Sequence, residues 1–356
     1  MTVLSPSPAG WRDPAAVRNA WTLVERYKPQ IFGGVPTVLA AALSVPVGDA
    51  DISSIRIASG GGSAIPVAVC KAYAQLIHGP VLEVYGMTET ASVHTMSYPE
   101  RPLRLGSVGH ALPYSRVRIV KVDADGKLLG ECGVNEIGVV AMAGPGVFSG
   151  YLSETHNRGA FVEPGWVNSG DLGRLDEDGY LWITGRAKDM IIRGGHNIDP
   201  MAIEEVFFQH PAVALAAVVG QPDAYAGELP VAYVQPKAGV AIDVDELLDF
   251  VRQRTPERAA VPVKLYVIDA VPLTGVGKVF KPALRLDAAK RMVAALLADL
   301  VPADATLDVA VQAHTVHGNL ITVRVAGVAA ARRAALEGQL HERMNPLVMR
   351  HEVIWA

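Results

Sequence analysis

Apolar residues along the chain recur at helical spacing in some segments and form short runs in others. Within the first hundred residues, the helical pattern covers residues 15–26, 36–43 and 66–77, and the short apolar runs cover residues 30–34, 55–58 and 81–85. Strand, glycine turn, helix and strand in this order are typical of a parallel sheet with crossover helices. Ligands of such sheets bind at the carboxyl ends of the strands. In this sequence, residues 60–62 and 86–89 lie at that edge.

The pattern changes after residue 106. Residues 107–184 contain short β-like runs between glycine-bearing turns, namely 116–122, 136–141 and 180–183. This pattern of short runs and turns is typical of an antiparallel sheet or a small barrel. Strands and helices then follow one another as far as residue 268, with helices at 201–209 and 244–254 and strands at 190–192, 214–219, 229–234 and 264–268. They predict an α+β module of about 100 residues, which is an ordinary domain size.

The tail of the chain has its own pattern of strand, strand, helix and strand. The strands are predicted at residues 307–313, 319–325 and 351–356, and the helix at 329–344. The tail has no residues of recognisable chemistry, so we interpret it as a packing or oligomerisation element. We therefore predict a mixed α/β and α+β fold of four parts. These parts are a partial sheet-and-helix layer (1–105), a β-rich, barrel-like subdomain (106–187), a smaller α+β domain (188–286), and an extra helix with a ββαβ tail (287–356).

Composition narrows the class of protein. A chain of 356 residues corresponds to two or three domains of roughly 100–200 residues each. The formal net charge of −4 excludes the basic field of a dedicated nucleic-acid binder. Cys70 and Cys132 lack the spacing of a disulfide framework or a zinc site. The apolar runs are shorter than the ~20 residues of a membrane span, and the N-terminus lacks the pattern of a secretory signal. We predict a cytoplasmic protein.

The glycine-rich loops do not match the generic phosphate-binding templates. Residues 60–65 fail the dinucleotide fingerprint because Ile65 occupies its last position. The segment ending in Gly277 and Lys278 fails the P-loop template because Pro272 stands where the first glycine belongs. These generic nucleotide folds are therefore not supported.

Four segments in chain order resemble the adenylate-forming superfamily of AMP-binding enzymes, which includes the acyl-CoA synthetases. They read GGGSAIP (60–66), VYGMTET (84–90), SGDLGRLDEDGYLWITGRAKDMIIRGGHNIDPMAIEE (169–205) and PLTGVGK (272–278). The resemblance extends from about residue 20 to about residue 285, and the tail beyond Leu286 lies outside it. The resemblance identifies the first two parts as an AMP-binding domain and the third as its mobile C-terminal domain.

The resemblance implies a two-step reaction. A carboxylic acid, fatty or related, attacks ATP to give an acyl adenylate and pyrophosphate, and the thiol of CoA then displaces AMP. The implied cofactors are ATP or AMP, Mg²⁺ and CoA, and the implied partners are small molecules, with no nucleic acid and no membrane span. This chemistry would make the protein a ligase of fatty acid metabolism.

The second segment matches the family's aromatic-Gly-x-Thr-Glu sequence. By this resemblance Tyr85 lies against the adenine, Thr88 offers a hydroxyl to the α-phosphate, and Glu89 offers a carboxylate to Mg²⁺. Gly86 and Met87 complete the nucleotide-binding turn. Taken alone, these five residues would be typical of a capped turn at the end of a strand.

The first segment matches the loop that lies against the adenine edge. Its nucleotide-binding residues are predicted to be Gly61, Gly62, Ser63 and Ala64, whose small size lets the main chain approach the ring. The family often has Ala-Pro where this sequence has Ser63 and Ala64, a departure that changes no functional group.

The third segment supplies polar partners for the ribose. Asp171 matches the carboxylate that accepts hydrogen bonds from both hydroxyls, and Arg186 matches a donor to ribose and phosphate oxygens. Lys188 matches the hinge between two domain arrangements. Gly194 and Gly195 match the loop that lines the CoA tunnel in the second arrangement.

The fourth segment presents Lys278 on a turn. By resemblance, this lysine reaches the site in the first arrangement and stabilises negative charge on the carboxylate and the α-phosphate. We predict Lys278 as the main catalytic side chain, together with Thr88 and Glu89. A solvated loop lysine is the alternative that the segment alone would favour.

One family feature has no counterpart here. Nothing in residues 1–59 resembles the Ser/Thr/Gly-rich phosphate loop, so the chain resembles only the later half of such an enzyme, as a truncated one would. We expect tighter binding of AMP or an acyl adenylate than of ATP, and weak adenylation by the isolated chain. We also expect a second copy or a partner chain to cover exposed strand edges and apolar surface.

Two other readings stay open. A non-catalytic subunit that binds AMP or an acyl adenylate would explain the missing loop, but it would need neither Lys278 nor a hinge. An adenylation domain that loads a carrier protein has the same motifs, but no carrier domain follows Leu286. The acid itself is not readable, since its pocket is partly missing and residues 106–109 line it only by resemblance.

Overall fold

The structure is a computed structural model, and it describes residues 5–7, 10–314, 318–347 and 349–355. This part of the chain contains four β-sheets with helices packed against them. The sheets follow one another along the sequence, and each is built from a continuous stretch of chain. The predicted mixed α/β fold class is confirmed.

The first sheet is built from the N-terminal strands. Its elements are α1 (Pro14–Arg18), α2 (Ala20–Tyr27), β1 (Ile31–Gly34), α3 (Pro36–Leu43), β2 (Ile57–Gly61), α4 (Val67–Ile77), β3 (Val81–Tyr85), β4 (Thr95–Met96) and β5 (His110–Ala111). The strand order is β1-β2-β3-β4-β5, in which β1, β2 and β3 are parallel. The helix predicted at 15–26 is divided at Asn19, whose backbone is not helical.

Side chains of β1, α3 and α4 pack together in the core of this first layer. Phe32 of β1 packs against Tyr73 of α4, and the Tyr73 hydroxyl donates to the carbonyl oxygen of Leu39 in α3 at 3.0 Å. Strands β2 and β3 are neighbours, with Gly61 paired to Val84. Because they are parallel, their carboxyl ends lie side by side at one edge, as the sequence predicts.

The second sheet is antiparallel. Its elements are β6 (Arg116–Val122), β7 (Leu128–Glu131), β8 (Gly138–Ala143), α5 (Glu154–Asn157), β9 (Phe161–Glu163), β10 (Trp166–Leu175) and β11 (Leu181–Arg186). The strand order is β11-β10-β8-β6-β7, and β9 pairs with β10. Within the described residues, β11 and β7 do not pair with each other. The sheet is therefore open, and the barrel-like closure that we predicted does not form.

Helices Pro200–Phe208 and Val244–Arg254 pack against the third sheet. Its elements are β12 (Ile191–Arg193), β13 (His196–Ile198), α6 (Pro200–Phe208), β14 (Val213–Asp223), β15 (Gly227–Pro236), α7 (Val244–Arg254) and β16 (Lys264–Val267). The order is β13-β12-β15-β14, and β16 runs parallel to β15. Helix α6 begins where the Asp199 carboxylate accepts from the Met201 N–H at 2.9 Å, with Pro200 in the first turn.

The tail forms a fourth, three-stranded sheet. Its elements are α8 (Lys281–Leu297), β17 (Thr306–His314), β18 (Gly318–Ala326), α9 (Ala330–Met344) and β19 (Arg350–Trp355). Strand β18 lies in the centre, antiparallel to β17 and parallel to β19. The strand-strand-helix-strand order is as predicted, and the last residue of the predicted final strand, Ala356, lies outside the described residues.

Helix α8 joins the third and fourth sheets. Its first half places Leu284 and Ala288 in a buried cluster with the third sheet. Its second half places Val293 and Leu297 in the core of the tail. A division of the chain after residue 286 therefore falls inside one continuous helix.

Candidate functional site

A cavity of about 400 Å³ lies at the carboxyl ends of β2 and β3. Most of its lining comes from the end of β3 and the loop that follows, and one residue comes from much later in the chain. The lining residues are Gly62, Val84, Tyr85, Gly86, Met87, Thr88, Ala91, Ser92, Val93 and Lys278. Residues from three of the four sequence segments that carry the family resemblance therefore meet around one cavity.

Lys278 lies on a short hairpin formed by residues 272–280. The Thr274 N–H donates to the carbonyl oxygen of Lys278 at 2.7 Å, and Gly277 between them has a φ of +83° that favours glycine. Across the cavity, Gly62 has no side chain, and a Cβ built there would lie 3.0 Å from Lys278 Cε. The absence of a side chain at Gly62 therefore allows the lysine to reach the edge of the sheet.

Asp171 connects the first and second sheets beside this cavity. The Tyr85 hydroxyl donates to its Oδ2 at 2.8 Å, and Arg186 Nε donates to its Oδ1 at 2.9 Å. The antiparallel register of β10 and β11 pairs Asp171 directly with Arg186. Asp171 is only 7% exposed, whereas half of the Arg186 side chain is exposed. The arrangement is a buried carboxylate that accepts from two donors, one of them within reach of solvent.

The Tyr85 side chain is a donor at neutral pH. Burial raises the pKa of Tyr85 far above its usual range, and the neighbouring Asp171 carboxylate raises it further. The hydroxyl therefore keeps its proton and points it at Asp171. The aromatic ring stays beside the cavity, where it offers a flat apolar face.

Glu89 lies one residue beyond Thr88, in the turn after β3. Its Oε1 accepts from the Tyr151 hydroxyl at 2.5 Å. This hydrogen bond, together with burial, raises the pKa of Tyr151 to about 12, so the tyrosine remains protonated. The contact fixes one carboxylate oxygen of Glu89 beside the cavity-lining Thr88.

The carboxylate of Glu89 is compatible with a role as a ligand to Mg²⁺. No group of three or more His, Cys, Asp or Glu side chains in the described part of the chain is arranged to hold a metal ion by itself. Mg²⁺ is commonly bound through one or two carboxylates together with phosphates and water. A single carboxylate such as that of Glu89 fits a metal ion that arrives with a nucleotide.

Two of the predicted site glycines are required by close backbone packing. A Cβ at Gly86 would lie 1.8 Å from the carbonyl oxygen of Ser92, and a Cβ at Gly61 would lie 2.4 Å from that of Val84. Gly61 ends β2 and is outside the lining, whereas Gly86 is part of it. Ser63 and Ala64 are exposed in the turn after β2 and do not line the cavity.

Three further predicted residues lie away from the cavity. Lys188 is exposed in a single turn after β11, where its carbonyl oxygen accepts from Arg285 of α8 at 3.4 Å. Gly194 and Gly195 form the two-residue turn between β12 and β13, with φ angles of +56° and +85°. Both φ angles are those of a tight hairpin turn. Both glycines are exposed. The hinge role of Lys188 and the CoA-tunnel role of the two glycines stay predictions.

Several contacts of the site could not be predicted from the sequence. Tyr151 and Glu89 are 62 residues apart, and Thr37 and Gly277, which share a hydrogen bond, are 240 residues apart. Ala91 and Ser92 are non-glycine residues with φ of +55° and +92°. Such backbone strain concentrates at functional sites, but it is a property of the folded chain.

Glu83 is a buried carboxylate on the same strand as Tyr85. It is 4% exposed and accepts from the Gly106 N–H at 2.9 Å. Burial raises the pKa of Glu83 to about 7, although hydrogen bonds from the backbone oppose the shift. The folded chain therefore holds a proton that the unfolded chain releases near pH 4.5.

We expect Glu83→Gln to remove a pH dependence of stability. Between pH 4.5 and about 7 the folded wild type binds one more proton than the unfolded chain, so its free energy of unfolding falls as pH rises. The fall is about 1.4 kcal/mol per pH unit, or about 3 kcal/mol in total. Glutamine keeps an acceptor for Gly106 but does not ionise, so the variant should be the more stable protein at pH 8.

Guanidinium denaturation of both proteins at pH 5 and pH 8 measures this difference. The exposed Glu246 of α7, changed to glutamine, is the matched control and should follow the wild type. Parallel pH dependences in the wild type and in Glu83→Gln would contradict the assignment.

Comparison with known proteins identifies two matching family models. Residues 1–152 match the AMP-binding enzyme model, and residues 202–278 match the model of the AMP-binding enzyme C-terminal domain. The chain is 41% identical over 340 residues to a marinolic acid–CoA ligase of Pseudoalteromonas sp. (strain SANK 73390), covering 95% of this chain and 51% of the relative. It is 33% identical to a long-chain-fatty-acid–CoA ligase of Bacillus subtilis (strain 168), covering 73% of this chain and 46% of the relative.

Solved structures show the same similarity. The anthranilate CoA ligase AuaEII in complex with anthranoyl-AMP superposes with a TM-score of 0.72 at 27% identity, covering 82% of this chain and 55% of that chain. This chain thus spans about half the length of the curated relatives that it matches. The coverage of 95% by the Pseudoalteromonas ligase includes most of the tail, which lies beyond both family models. Among the described residues, no helix combines the length and the apolar character needed to cross a membrane.

Proposed function

Because the chain belongs to the adenylate-forming superfamily of AMP-binding enzymes, we propose that it carries the nucleotide-binding and catalytic residues of an AMP-forming acid–thiol ligase. The observation that supports this most is the placement of the Tyr85–Asp171–Arg186 hydrogen bonds next to a cavity that Lys278 enters from the hairpin 272–280. This set offers an aromatic face, an acceptor for hydroxyl groups and a positive charge around one space. These three features match, in turn, the adenine ring, the ribose hydroxyls and the phosphate of adenosine monophosphate.

The proposed reaction has two displacements. In the first, a carboxylate oxygen of the acid bonds to the α-phosphorus of ATP, the bond to the bridging oxygen breaks, and pyrophosphate leaves. In the second, the sulfur of CoA bonds to the acyl carbon of the adenylate, the acyl–oxygen bond breaks, and AMP leaves. The thiol proton is released to solvent. No electrons are exchanged with a cofactor in either step.

Each side chain would contact the part of the substrate that its chemistry suits. Tyr85 would stack on the adenine, and the Asp171 carboxylate would accept from the ribose hydroxyls, since an ionised carboxylate only accepts. Thr88 and Lys278 would contact the α-phosphate and the reacting carboxylate. The compact charge of a lysine ammonium stabilises negative charge that grows on these oxygens in the transition state.

Mg²⁺ would be held by Glu89 together with phosphate oxygens of ATP. When bound, the metal ion offsets the negative charge that the leaving pyrophosphate gains. The contribution of this chain is to hold the Glu89 carboxylate in place through the Tyr151 hydroxyl. The second oxygen of Glu89 would be available as a ligand to the metal ion.

For the thioester step we propose the predicted change of domain arrangement. Lys188 lies in the turn between the second and third sheets, where a few backbone rotations would reorient the third sheet. The exposed Gly194–Gly195 turn would then line the path of CoA. The acid is proposed to be fatty or related, since one of the relatives named above is a long-chain-fatty-acid–CoA ligase, although the other two are named for marinolic acid and anthranilate.

A test that separates binding from catalysis uses the full chain and two ligands. Calorimetric titration with AMP should show binding at one site, with GMP as the control for recognition of the adenine. A preformed fatty acyl adenylate is then mixed with CoA, and acyl-CoA is measured by mass spectrometry. This half-reaction needs neither ATP nor Mg²⁺. Acyl-CoA formation above the rate without protein is the expected result.

The alternatives give different outcomes in the same test. Binding of AMP and the adenylate without acyl-CoA formation would support the non-catalytic subunit. Transfer to a carrier-protein thiol in preference to CoA would support the carrier-loading reading. Absence of AMP binding would contradict the proposed function altogether. The predicted self-association or partner chain is measured separately, by light scattering after size exclusion.

A further inference from the structure

Lys278 and the other cavity residues come from different parts of the fold. The other lining residues lie between positions 62 and 93, in the layer of the first sheet. We call this layer the N-terminal unit, and the third sheet with α6, α7, α8 and the hairpin 272–280 the C-terminal unit. The lysine therefore stays in the cavity only while the two units remain packed together. Two hydrogen-bonded contacts between described residues join them, and one of them is adjacent to the lysine.

The first contact fixes the backbone next to Lys278. Thr37, in the first turn of α3, donates from Oγ1 to the carbonyl oxygen of Gly277 at 2.6 Å. Gly277 is buried and immediately precedes Lys278. A Cβ at Gly277 would approach Val35 Cγ2 to 3.3 Å, so the hairpin is close against the start of α3. Fixing this carbonyl group limits how far the neighbouring lysine can move.

The second contact places a carboxylate on the end of another helix. Glu205 lies on α6 of the C-terminal unit, and its Oε1 and Oε2 accept from the Val67 N–H at 3.0 and 3.2 Å. Val67 is the first residue of α4, and the residue before it, Pro66, provides no side-chain cap. The Glu205 carboxylate thus supplies the acceptor that a capping side chain normally supplies.

The two contacts lie at the starts of two helices and differ in their donor groups. The N-terminal end of a helix has free N–H groups and a partial positive charge. Helices α3 and α4 have no capping side chain at the N-cap position, where Val35 and Pro66 stand. At the start of α4 the Glu205 carboxylate of the C-terminal unit accepts from a main-chain N–H of the helix, whereas at the start of α3 the carbonyl oxygen of Gly277 accepts from the side-chain hydroxyl of Thr37. The two units are complementary at these helix ends.

We propose that Thr37 and Glu205 are positioning residues that hold the C-terminal unit on the starts of α3 and α4 and so keep Lys278 in the cavity. They touch neither the nucleotide site nor the reacting groups, and they act through the lysine. The value of this placement for catalysis rests on the proposed function. The placement itself is tested by a measurement that needs no turnover.

The experiment measures how fast individual lysines of the full chain are acetylated by an N-hydroxysuccinimide ester. Rates are read by peptide mass spectrometry in the wild type, Thr37→Val, Glu205→Ala and the double variant. Loss of one net hydrogen bond increases the undocked population about 3- to 10-fold. We therefore expect the Lys278 rate to rise by that factor in each single variant and further in the double variant.

Lys281 shows whether the C-terminal unit itself stays folded. It is only three residues from Lys278, its side chain is 14% exposed, and it pairs with Glu204 of α6 at 2.7 Å within that unit. Separation of the two units should expose Lys278 while Lys281 remains protected. The exposed Lys127 of the second sheet serves as the internal standard for reagent activity.

Conservative variants provide the matched controls. Thr37→Ser keeps the hydroxyl and Glu205→Gln keeps an acceptor oxygen, so both should retain the wild-type Lys278 rate. Glu246→Ala removes an exposed carboxylate from α7 and should also change nothing. An unchanged Lys278 rate in the double variant, or a rise at Lys281 equal to that at Lys278, would overturn the proposal. Failure of the proposed function would appear as absent AMP binding in the wild type, and it leaves the labelling result intact.

Discussion

Lys278→Ala is expected to lower the rate of acyl adenylate formation about 100- to 1,000-fold, the usual cost of removing one preorganised electrostatic group. The lysine lies in the cavity opposite Gly62, where no side chain separates it from the edge of the sheet. Negative charge grows on the α-phosphate oxygens during the displacement, and alanine provides nothing to offset it. AMP binding should fall much less, because Tyr85 and Asp171 are unchanged.

The measurement is pyrophosphate release by the full chain with a fatty acid and MgATP, at a protein concentration high enough to quantify the weak adenylation expected of this chain, together with calorimetry of AMP. Lys278→Arg keeps the charge but replaces a compact ammonium with a planar fork, and it should recover only part of the rate. The exposed Lys290 of α8, changed to alanine, is the control for general loss of positive charge. A Lys278→Ala rate within a few-fold of the wild type would refute the catalytic assignment of this residue.

Asp171→Asn is expected to weaken AMP binding about 10- to 100-fold, since hydrogen bonds to a charged group are worth about 1.5–3 kcal/mol. The change keeps the shape of the side chain but replaces one acceptor oxygen by an NH₂ donor. In the wild type the two oxygens accept from Tyr85 and Arg186. With asparagine, either one of these donors or the ribose faces another donor.

Calorimetric titration of AMP measures this loss, and a thermal melt confirms that the variant is folded. Tyr85→Phe removes only the hydroxyl and should cost less than Asp171→Asn. Asp125→Asn, in an exposed turn of the second sheet, is the control for charge removal. Equal AMP affinities in the wild type and Asp171→Asn would exclude this carboxylate from the nucleotide site.

Much of the fold was predictable from local sequence. Helices α3 and α7 and strands β3 and β6 have the predicted boundaries, because their apolar spacing and flanking proline or turn residues agree with the final packing. Long strands such as β10, Trp166–Leu175, were not predicted. Its glycine, aspartate and asparagine residues have low strand propensity, and the pairing with β8 and β11 decides its conformation.

The predicted barrel shows a limit of the same reasoning. Alternation and turns in residues 107–184 identify antiparallel strands, but they do not say which strands are neighbours. The order β11-β10-β8-β6-β7 depends on contacts between strands far apart in the sequence. The open sheet is therefore a property of the tertiary structure.

The chemistry of the site was largely visible in the sequence. The candidate site residues are polar or aromatic and lie in glycine-containing segments whose order and spacing resemble one superfamily, namely Tyr85, Thr88, Glu89, Asp171, Arg186 and Lys278. Local backbone preferences also place Thr88 and Glu89 in the turn that follows β3. What each residue type could do, as donor, acceptor or charge, follows from its side chain alone.

Only the tertiary structure decided which of these groups meet. Asp171 becomes the shared acceptor of Tyr85 and Arg186 because β10 and β11 are in register and the second sheet packs against the first. Lys278 enters the cavity because Gly62 leaves room for it and the hairpin packs on α3. The physical reason is the range of the forces. Propensities and turns act within a few residues, whereas Thr37 with Gly277, Glu205 with Val67 and Glu89 with Tyr151 are brought together only when the cores of separate sheets close.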